Sequence, residues 1–582
     1  MLNNKSKIIV IGGGLAGLMS AIKVAESGHK VMLFAIHPVR RSHSVCAQGG
    51  INAAKNLKGE GDSVWQHLDD TVYGGDFLAN QPLAKRMCEA APGIIDLTAR
   101  MGVMYNRTPE GLLDFRRFGG TKYHRTAFAG TTTGQQLVYA LDEQVRRYEA
   151  EGLVEKYENW ELLSPVLDSS GTCRGITTLN LHTMEVRAFP ADAVIAATGG
   201  IGAIFGKSTN SIVNTGSAAS ALYQAGAVYA NPEFVQVHPT AMPGEDKLRL
   251  ISESARGEGG RVWVTRDGKP WYFLEEWYPA YGNLVPRDVG ARAIFKVVFE
   301  MKMGVDGQPM VYLDISHLPR HDLDTRLYGI MEIYERYTGD DPRRVPMKVF
   351  PAVHYNMGGL WVDGNMATSI PGLFAAGEAE YQHHGANRLG ANSLVSCIFD
   401  GMVAGPAAVA YAEGASRGAS NTPSPLYEAE ARRQTDINER LLTSTGSEDV
   451  YALYTEMGDV MRENVTVIRR NDALKKTGEK LVELQDRYNN IRLPDKSGTA
   501  NQGLVFAREL YNMLVLARAI TDGALMRDES RGAHFKPEFP VRNDKDWLKT
   551  TKATYSPDGP VLEYEPVDVS LIEPRERHYD IE

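Results

Sequence analysis

The chain has 582 residues, which at ~100–200 residues per domain predicts three or four structural units and excludes a disordered or fibrous protein. Hydrophobic residues make up 43% and charged residues 23%, an ordinary balance for a globular chain. The 63 basic and 72 acidic residues leave a net charge of −9 with no concentrated basic segment, so nucleic acid is excluded as a principal partner.

Met1 to Lys7 is short and polar and runs into Ile8–Ile11, too brief an apolar run for a signal peptide. No stretch of sequence approaches the ~20 apolar residues of a membrane span, so any membrane association is expected through a partner. Ile8–Ile11 reads as a buried parallel strand, Leu18–Ala25 as an apolar helix and Val31–Phe34 as a second strand, with a glycine turn after the first. Such a strand, turn, helix and strand predicts the start of a doubly wound α/β domain.

Ala193–Ala197, running into Thr198-Gly199-Gly200, and Gly372–Glu378 read as later returns to the same sheet. Residues 238–350 are denser in Trp, Tyr, Pro and Arg and read as an inserted α+β capping domain. From about 426 the pattern becomes helical and charged. Phe506, Leu510, Met513, Leu514 and Ala517 share one face, with Arg508, Glu509 and Asn512 opposite. The proline-bearing tail from 536 suggests a small extended domain or wrapped arm. The expected division is therefore a Rossmann-like nucleotide-binding domain over 1–237 and 351–425, a cap over 238–350, a helical bundle over 426–535 and a C-terminal unit over 536–582.

Gly12-x-Gly14-x-x-Gly17 between strand and helix is the dinucleotide fingerprint, in which small residues let backbone approach a pyrophosphate at a helix N-terminus. The second strand ends in Ala35-Ile36-His37, without the acidic residue that usually holds the ribose, which leaves that contact unassigned. Cys46, Cys88, Cys173 and Cys397 lie far apart with no Cys-x-x-Cys, which excludes a cysteine-bound zinc or iron-sulfur site and fits a reducing compartment. Cys46 reads either as a small buried packing residue or as a thiol whose alkylation blocks a site. His383-His384 are adjacent on a loop, with no carboxylate cluster apparent beside them, so no metal is expected.

Arg41-Ser42-His43-Ser44-Val45-Cys46-Ala47-Gln48-Gly49-Gly50, together with Gly377-Glu378, His384–Ser393 and Ser530–His534, resembles the flavoprotein subunit of succinate dehydrogenase and fumarate reductase. The likeness spans nearly the whole chain and is greatest to the menaquinone-linked type of Gram-positive bacteria. It implies FAD as cofactor, covalently bound through His43, with Gly12, Gly14, Ala16, Gly17, Ser42, Gln48, Gly49, Gly50, Ala197, Thr198, Gly199, Glu378, Arg388, Asn392, Ser393 and Leu394 around it. It further implies oxidation of succinate to fumarate, with electrons leaving through an iron-sulfur subunit and a membrane cytochrome b anchor to menaquinone. The chain is then expected as a peripheral subunit on the cytoplasmic face of the cell membrane.

A dicarboxylate needs cations, and a planar guanidinium binds a carboxylate through two bonds. By the resemblance, His238, Ser252, Glu253, His354 and Arg388 bind the substrate and Phe118 contacts it. Arg287 exchanges the proton through a relay of Glu253 and Arg256. Side-chain chemistry alone would select His238, His354 or Glu253 as the base, since a guanidinium has a pKa above ~12. Fumarate reduction in vivo, an L-aspartate oxidase, and a non-catalytic FAD-binding redox sensor or scaffold are the alternative readings; His43 speaks against the oxidase.

Overall fold

A computed structural model describes residues 6–244, 247–415 and 418–580. Residues 1–5 of the polar start and the last two residues of the expected C-terminal unit lie outside the described residues.

Five parallel strands form the nucleotide-binding sheet, in the order Leu373–Ala375, Ala193–Ala196, Lys7–Ile11, Lys30–Ala35, Val154–Glu158. Ile8 is paired with both Ala193 and Val31, so the first strand is central and buried on both sides. That position explains its unbroken β-branched run. The helix predicted from Leu18 begins at Leu15, directly after the glycine turn, and runs to Glu26. An antiparallel meander, Trp160–Leu167, Cys173–Asn180 and Val186–Pro190, is laid beside this sheet.

Helix Asn392–Gly414 corrects one expectation, for it is long and apolar enough by length and hydropathy to cross a membrane. Here it packs on Leu15–Glu26. A Cβ on Gly401 would lie 2.7 Å from Ala16 O, and one on Gly405 2.7 Å from Lys23 Cβ, so two glycines one helical turn apart bring the helices together.

The cap is a six-stranded sheet with its own apolar core of Val262, Val264, Phe273, Val311 and Leu313. Two long paired strands, Val235–Met242 and Met347–Asn356, enter and leave it, and positions 238 and 350 fall inside them. Four long helices, Ser424–Thr443, Val450–Asn464, Asn471–Tyr488 and Gln502–Met526, make the helical region. The face of the last helix read as opposite the apolar one does not meet open solvent: Asn512 donates to Ser217 at 2.8 Å and Arg508 to Asn438 at 2.7 Å, because both neighbours of that helix are protein.

The tail forms a hairpin, Lys549–Thr554 and Val561–Pro566, whose first strand pairs with Tyr229–Ala230. It then reaches the cap. Arg577 donates to Asp288 at 3.0 Å and to Asp76 at 3.2 Å, and Tyr579 joins the cap core. Cap and nucleotide-binding region are thus tied by the last described residues.

Candidate active site

The turn after the first strand is fixed by close packing. Gly12 has φ +115°, and a Cβ there would lie 2.0 Å from Ala197 O; one on Gly17 would lie 1.9 Å from Gly12 O. Helix Leu15–Glu26 has no side-chain cap at Gly14, although Ser44 Oγ accepts the Leu15 N–H, and its first residues line a cavity of about 1020 Å³ with its open mouth. Gly12, Gly14, Ala16, Ser42, His43, Ala197, Thr198, Gly199 and Glu378 line it. Gly17 does not line it, being the packing glycine between turn and helix.

A second cavity, about 1800 Å³ with its open mouth, lies between this region and the cap. Phe118, His238, Ser252, Glu253, Arg287, His354 and Arg388 line it, as do Gln48, Gly49, Gly50, Ser393 and Leu394. His43, Ser44, Glu378 and Cys397 line both cavities, so His43 is at their seam. Arg256 lies behind Glu253 rather than on the wall. Asn392 does not reach either cavity with its side chain, which is engaged by Asn52, His67 and Thr71 at 2.8–2.9 Å.

Glu253 is the hinge of the charge cluster. Its Oε2 accepts Arg287 Nε at 3.0 Å and NH2 at 2.9 Å; its Oε1 accepts Arg256 NH2 and the Gly119 N–H, each at 3.1 Å. A Cβ at 119 would lie 2.1 Å from that oxygen, so only glycine fits. Burial pushes the Glu253 carboxyl up, but Arg287, Arg256 and Arg388 outweigh it and hold it below its ordinary range. Arg256 passes on to Asn283 O at 2.7 Å.

Arg287 is the first residue of helix Arg287–Phe295. Its third contact, to Gln236 Oε1 at 2.9 Å, was missed in the sequence. The signal was there: Gln236 and His238 alternate along one strand. Arg388 rests over the Tyr355 ring at 4.3 Å, and burial followed by Arg287 lowers it to about 9.

His238 and His354 meet with ring centres 5.0 Å apart. Burial, then Arg287, lowers both well below 6.5, so both are neutral at pH 7. Thr240 N donates to His238 Nδ1 at 3.1 Å, which leaves Nε2 buried and without a partner; the Thr209 hydroxyl bonds His354 Nδ1 at 2.7 Å. Arg287, Arg256 and Arg388 around Glu253 leave excess positive charge at this end of the cavity, the complement of a dianion.

His43 is oriented from outside its own segment. The Ser211 N–H donates to Nδ1 at 3.1 Å, which leaves Nε2, 3.2 Å from the Asn210 amide. Burial, then Lys247, depresses it to about 4, so the imidazole is uncharged. Thr209, Asn210 and Ser211 carry no motif of their own, and nothing in the sequence marks them.

Two readings are corrected. Cys46 is exposed at the mouth of the second cavity, not a buried packing residue. His383 has carboxylates beside it, Asp400 at 2.6 Å and Glu380 at 3.6 Å, brought there by helix Asn392–Gly414 and the preceding turn.

The residues fit FAD: the cradle at Gly12 and Gly13 excludes a side chain, and the buried Ser42 Oγ, Gln48 Oε1 and Thr198 Oγ1 have no protein partner along the two cavities. A glycine cradle opening past a half-buried histidine onto a cationic chamber under a cap defines a flavoprotein.

Comparison with known proteins agrees. Residues 7–394 match the FAD binding domain family and 454–579 the fumarate reductase flavoprotein C-terminal family. The chain is 63% identical over 578 residues to the succinate dehydrogenase flavoprotein subunit of Bacillus subtilis, covering 99% of each. It is 35% identical to the fumarate reductase flavoprotein subunit of Haemophilus influenzae, covering 99% of this chain and 96% of the relative. A solved Escherichia coli quinol fumarate reductase superposes with TM-score 0.93 at 32% identity, covering 99% of each chain. The chain belongs to the succinate dehydrogenase and fumarate reductase flavoprotein family.

Proposed function

We propose that this chain is the catalytic flavoprotein of a succinate:quinone oxidoreductase, removing two hydrogens from succinate to give fumarate, reversibly. The observation that carries it is the convergence of Arg287, Glu253, Arg388, His238 and His354 on one cavity that His43 joins to the nucleotide cradle. When bound, FAD supplies the acceptor for the hydride leaving one substrate carbon.

The chain's own residues do the rest. Arg388, His354, His238 and Ser252 hold the two carboxylates, and Phe118 closes the wall beside Gly49, where a Cβ would lie 2.7 Å from its ring. Arg287 takes the proton from the adjacent carbon as Glu253 draws one of its own N–H protons away, and Arg256 links Glu253 to the Asn283 loop. A guanidinium is a poor base in water, but here a carboxylate stands in direct contact to receive its proton.

FAD is attached covalently through His43. Its neutral, half-buried imidazole is at the seam, held by Ser211 at Nδ1 and by Asn210 at Nε2, and alkylation of the ring with loss of its proton raises the flavin's oxidising strength toward the weak reductant succinate. Electrons leave through an iron-sulfur subunit and a membrane cytochrome b to menaquinone, which places the chain peripherally on the cytoplasmic face of the membrane. The Bacillus relative's name and the quinol-linked Escherichia coli structure support this assembly.

The test is acid precipitation of the purified chain followed by assay of native protein with succinate and an artificial dye acceptor. Yellow pellet and dye reduction are expected. Colour in the supernatant rejects the covalent bond; no dye reduction rejects the activity.

A further inference from the structure

Strand Lys30–Ala35 runs into Ile36 and His37, so the position that usually supplies a carboxylate to an adenosine ribose carries none. Two carboxylates from elsewhere line the same cavity. Glu161 is on meander strand Trp160–Leu167, and Glu509 is on helix Gln502–Met526 of the helical region.

Glu161 is 4% exposed, and its Oε2 has no hydrogen-bond partner. A buried carboxylate oxygen left unpaired is costly, which marks a place where a donor belongs. The neighbouring cation does not fill it: Arg508 donates to Asn438 and to the Gln434 side chain. Burial raises Glu161 to about 7 against the opposing pull of Arg508 and Ser217, and burial together with Glu161 holds Glu509 well above the carboxylate range against Thr215. Each is thus biased toward its protonated form.

We propose that Glu161 and Glu509 form the clamp for the 2′- and 3′-hydroxyls of the adenosine ribose of FAD, in place of the missing carboxylate of the second strand. The inference rests on the FAD reading of this cavity. A cis-diol presents two O–H donors and acceptor lone pairs; two carboxyl groups, at least one of them protonated, present acceptors and a donor to meet them. Because Glu509 belongs to the helical region, the bound cofactor also pins that region to the nucleotide-binding sheet.

The test uses the full chain carrying His43→Ser and freed of flavin, so that affinity reads noncovalent binding. Flavin fluorescence quenching gives dissociation constants for FAD and for FAD lacking both ribose hydroxyls. The background should lose about tenfold or more on removal of the hydroxyls. Glu161→Ala with Glu509→Ala should bind FAD more weakly by about the same factor and show no further loss with the deoxygenated cofactor. Glu161→Gln keeps the shape of the site and, judged beside a urea midpoint equal to the background's, should shrink the hydroxyl effect. A hydroxyl effect of unchanged size in either variant, or none in the background, overturns the clamp. A background chain that binds no flavin at all overturns the FAD reading and the clamp with it.

Discussion

The nucleotide cradle and the cationic chamber share a wall at His43 but are built by opposite means. The cradle is made by absence: glycines of one short segment exclude side chains and leave bare backbone along the cavity. The chamber is made by presence, with charged groups from segments far apart in the chain brought around one carboxylate, Glu253. A site defined by steric exclusion fails abruptly when volume is added, whereas a charge cluster fails in parts, each group taking its own function with it.

The largest effect is expected in the chamber. Arg287→Lys keeps a cation but loses the planar fork that contacts both Glu253 and Gln236, so flavin reduction by succinate should fall at least about a thousandfold. Binding of a non-reacting dicarboxylate, read from the flavin difference spectrum, should persist. Arg388→Lys should weaken that binding as well as turnover. If Arg287→Lys reduces its flavin at near the parent rate while His238→Ala or His354→Ala does not, the proton acceptor is a histidine.

Next comes the cradle. Gly12→Ala places a methyl 2.0 Å from Ala197 O at a φ of +115°, and should destabilise the chain by about 3 kcal/mol or more with loss of FAD. Urea unfolding measures the first and flavin content the second. A variant that folds and retains FAD removes the argument from exclusion.

At the seam the effect is smaller and asymmetric. His43→Ser should leave FAD bound but extractable by acid, with succinate oxidation falling far more than fumarate reduction, because loss of the bond lowers the flavin potential. Equal loss in both directions would show that His43 serves the site in some way other than tuning.

The cradle was legible from sequence because its signal is local: a β-branched run, three spaced glycines and an apolar helix sit within one stretch of chain. The chamber was not legible by spacing. Phe118, Glu253, Arg287 and Arg388 are brought together only by folding, and singly each resembles a surface charge or core ring, so resemblance to a family had to supply them. Gln236 was within reach of strand alternation. The partners of His43 at 210 and 211, the Asp400 beside His383 and the carboxyl pair of Glu161 and Glu509 depend on contacts between distant segments, which no pattern in the chain encodes.

The smallest effect concerns a buried pair that braces both regions. Asp400 accepts the Gly377 N–H at 2.9 Å, next to Glu378 at the seam, and holds His383 Nε2 at 2.6 Å. Burial alone would depress His383, but Asp400 and then Glu380 lift it to about 9, against Arg86; burial, then Asp400, lifts Glu380 to about 8. Both groups bind protons in the folded chain that the unfolded chain releases nearer 6.5 and 4.5. The His383 contribution is therefore complete below 6.5 and is lost as pH rises through about 9, and Glu380 adds a loss in the same direction from 4.5 through about 8. Urea midpoints of the full chain should fall steadily from pH 6 to pH 9. Asp400→Asn should make that fall shallower, and His383→Gln should do the same without touching the Gly377 contact. Profiles that stay parallel to the parent's in both variants would mean the pair does not carry the pH dependence. The brace between cradle and chamber would then be the packing of helix Asn392–Gly414 alone.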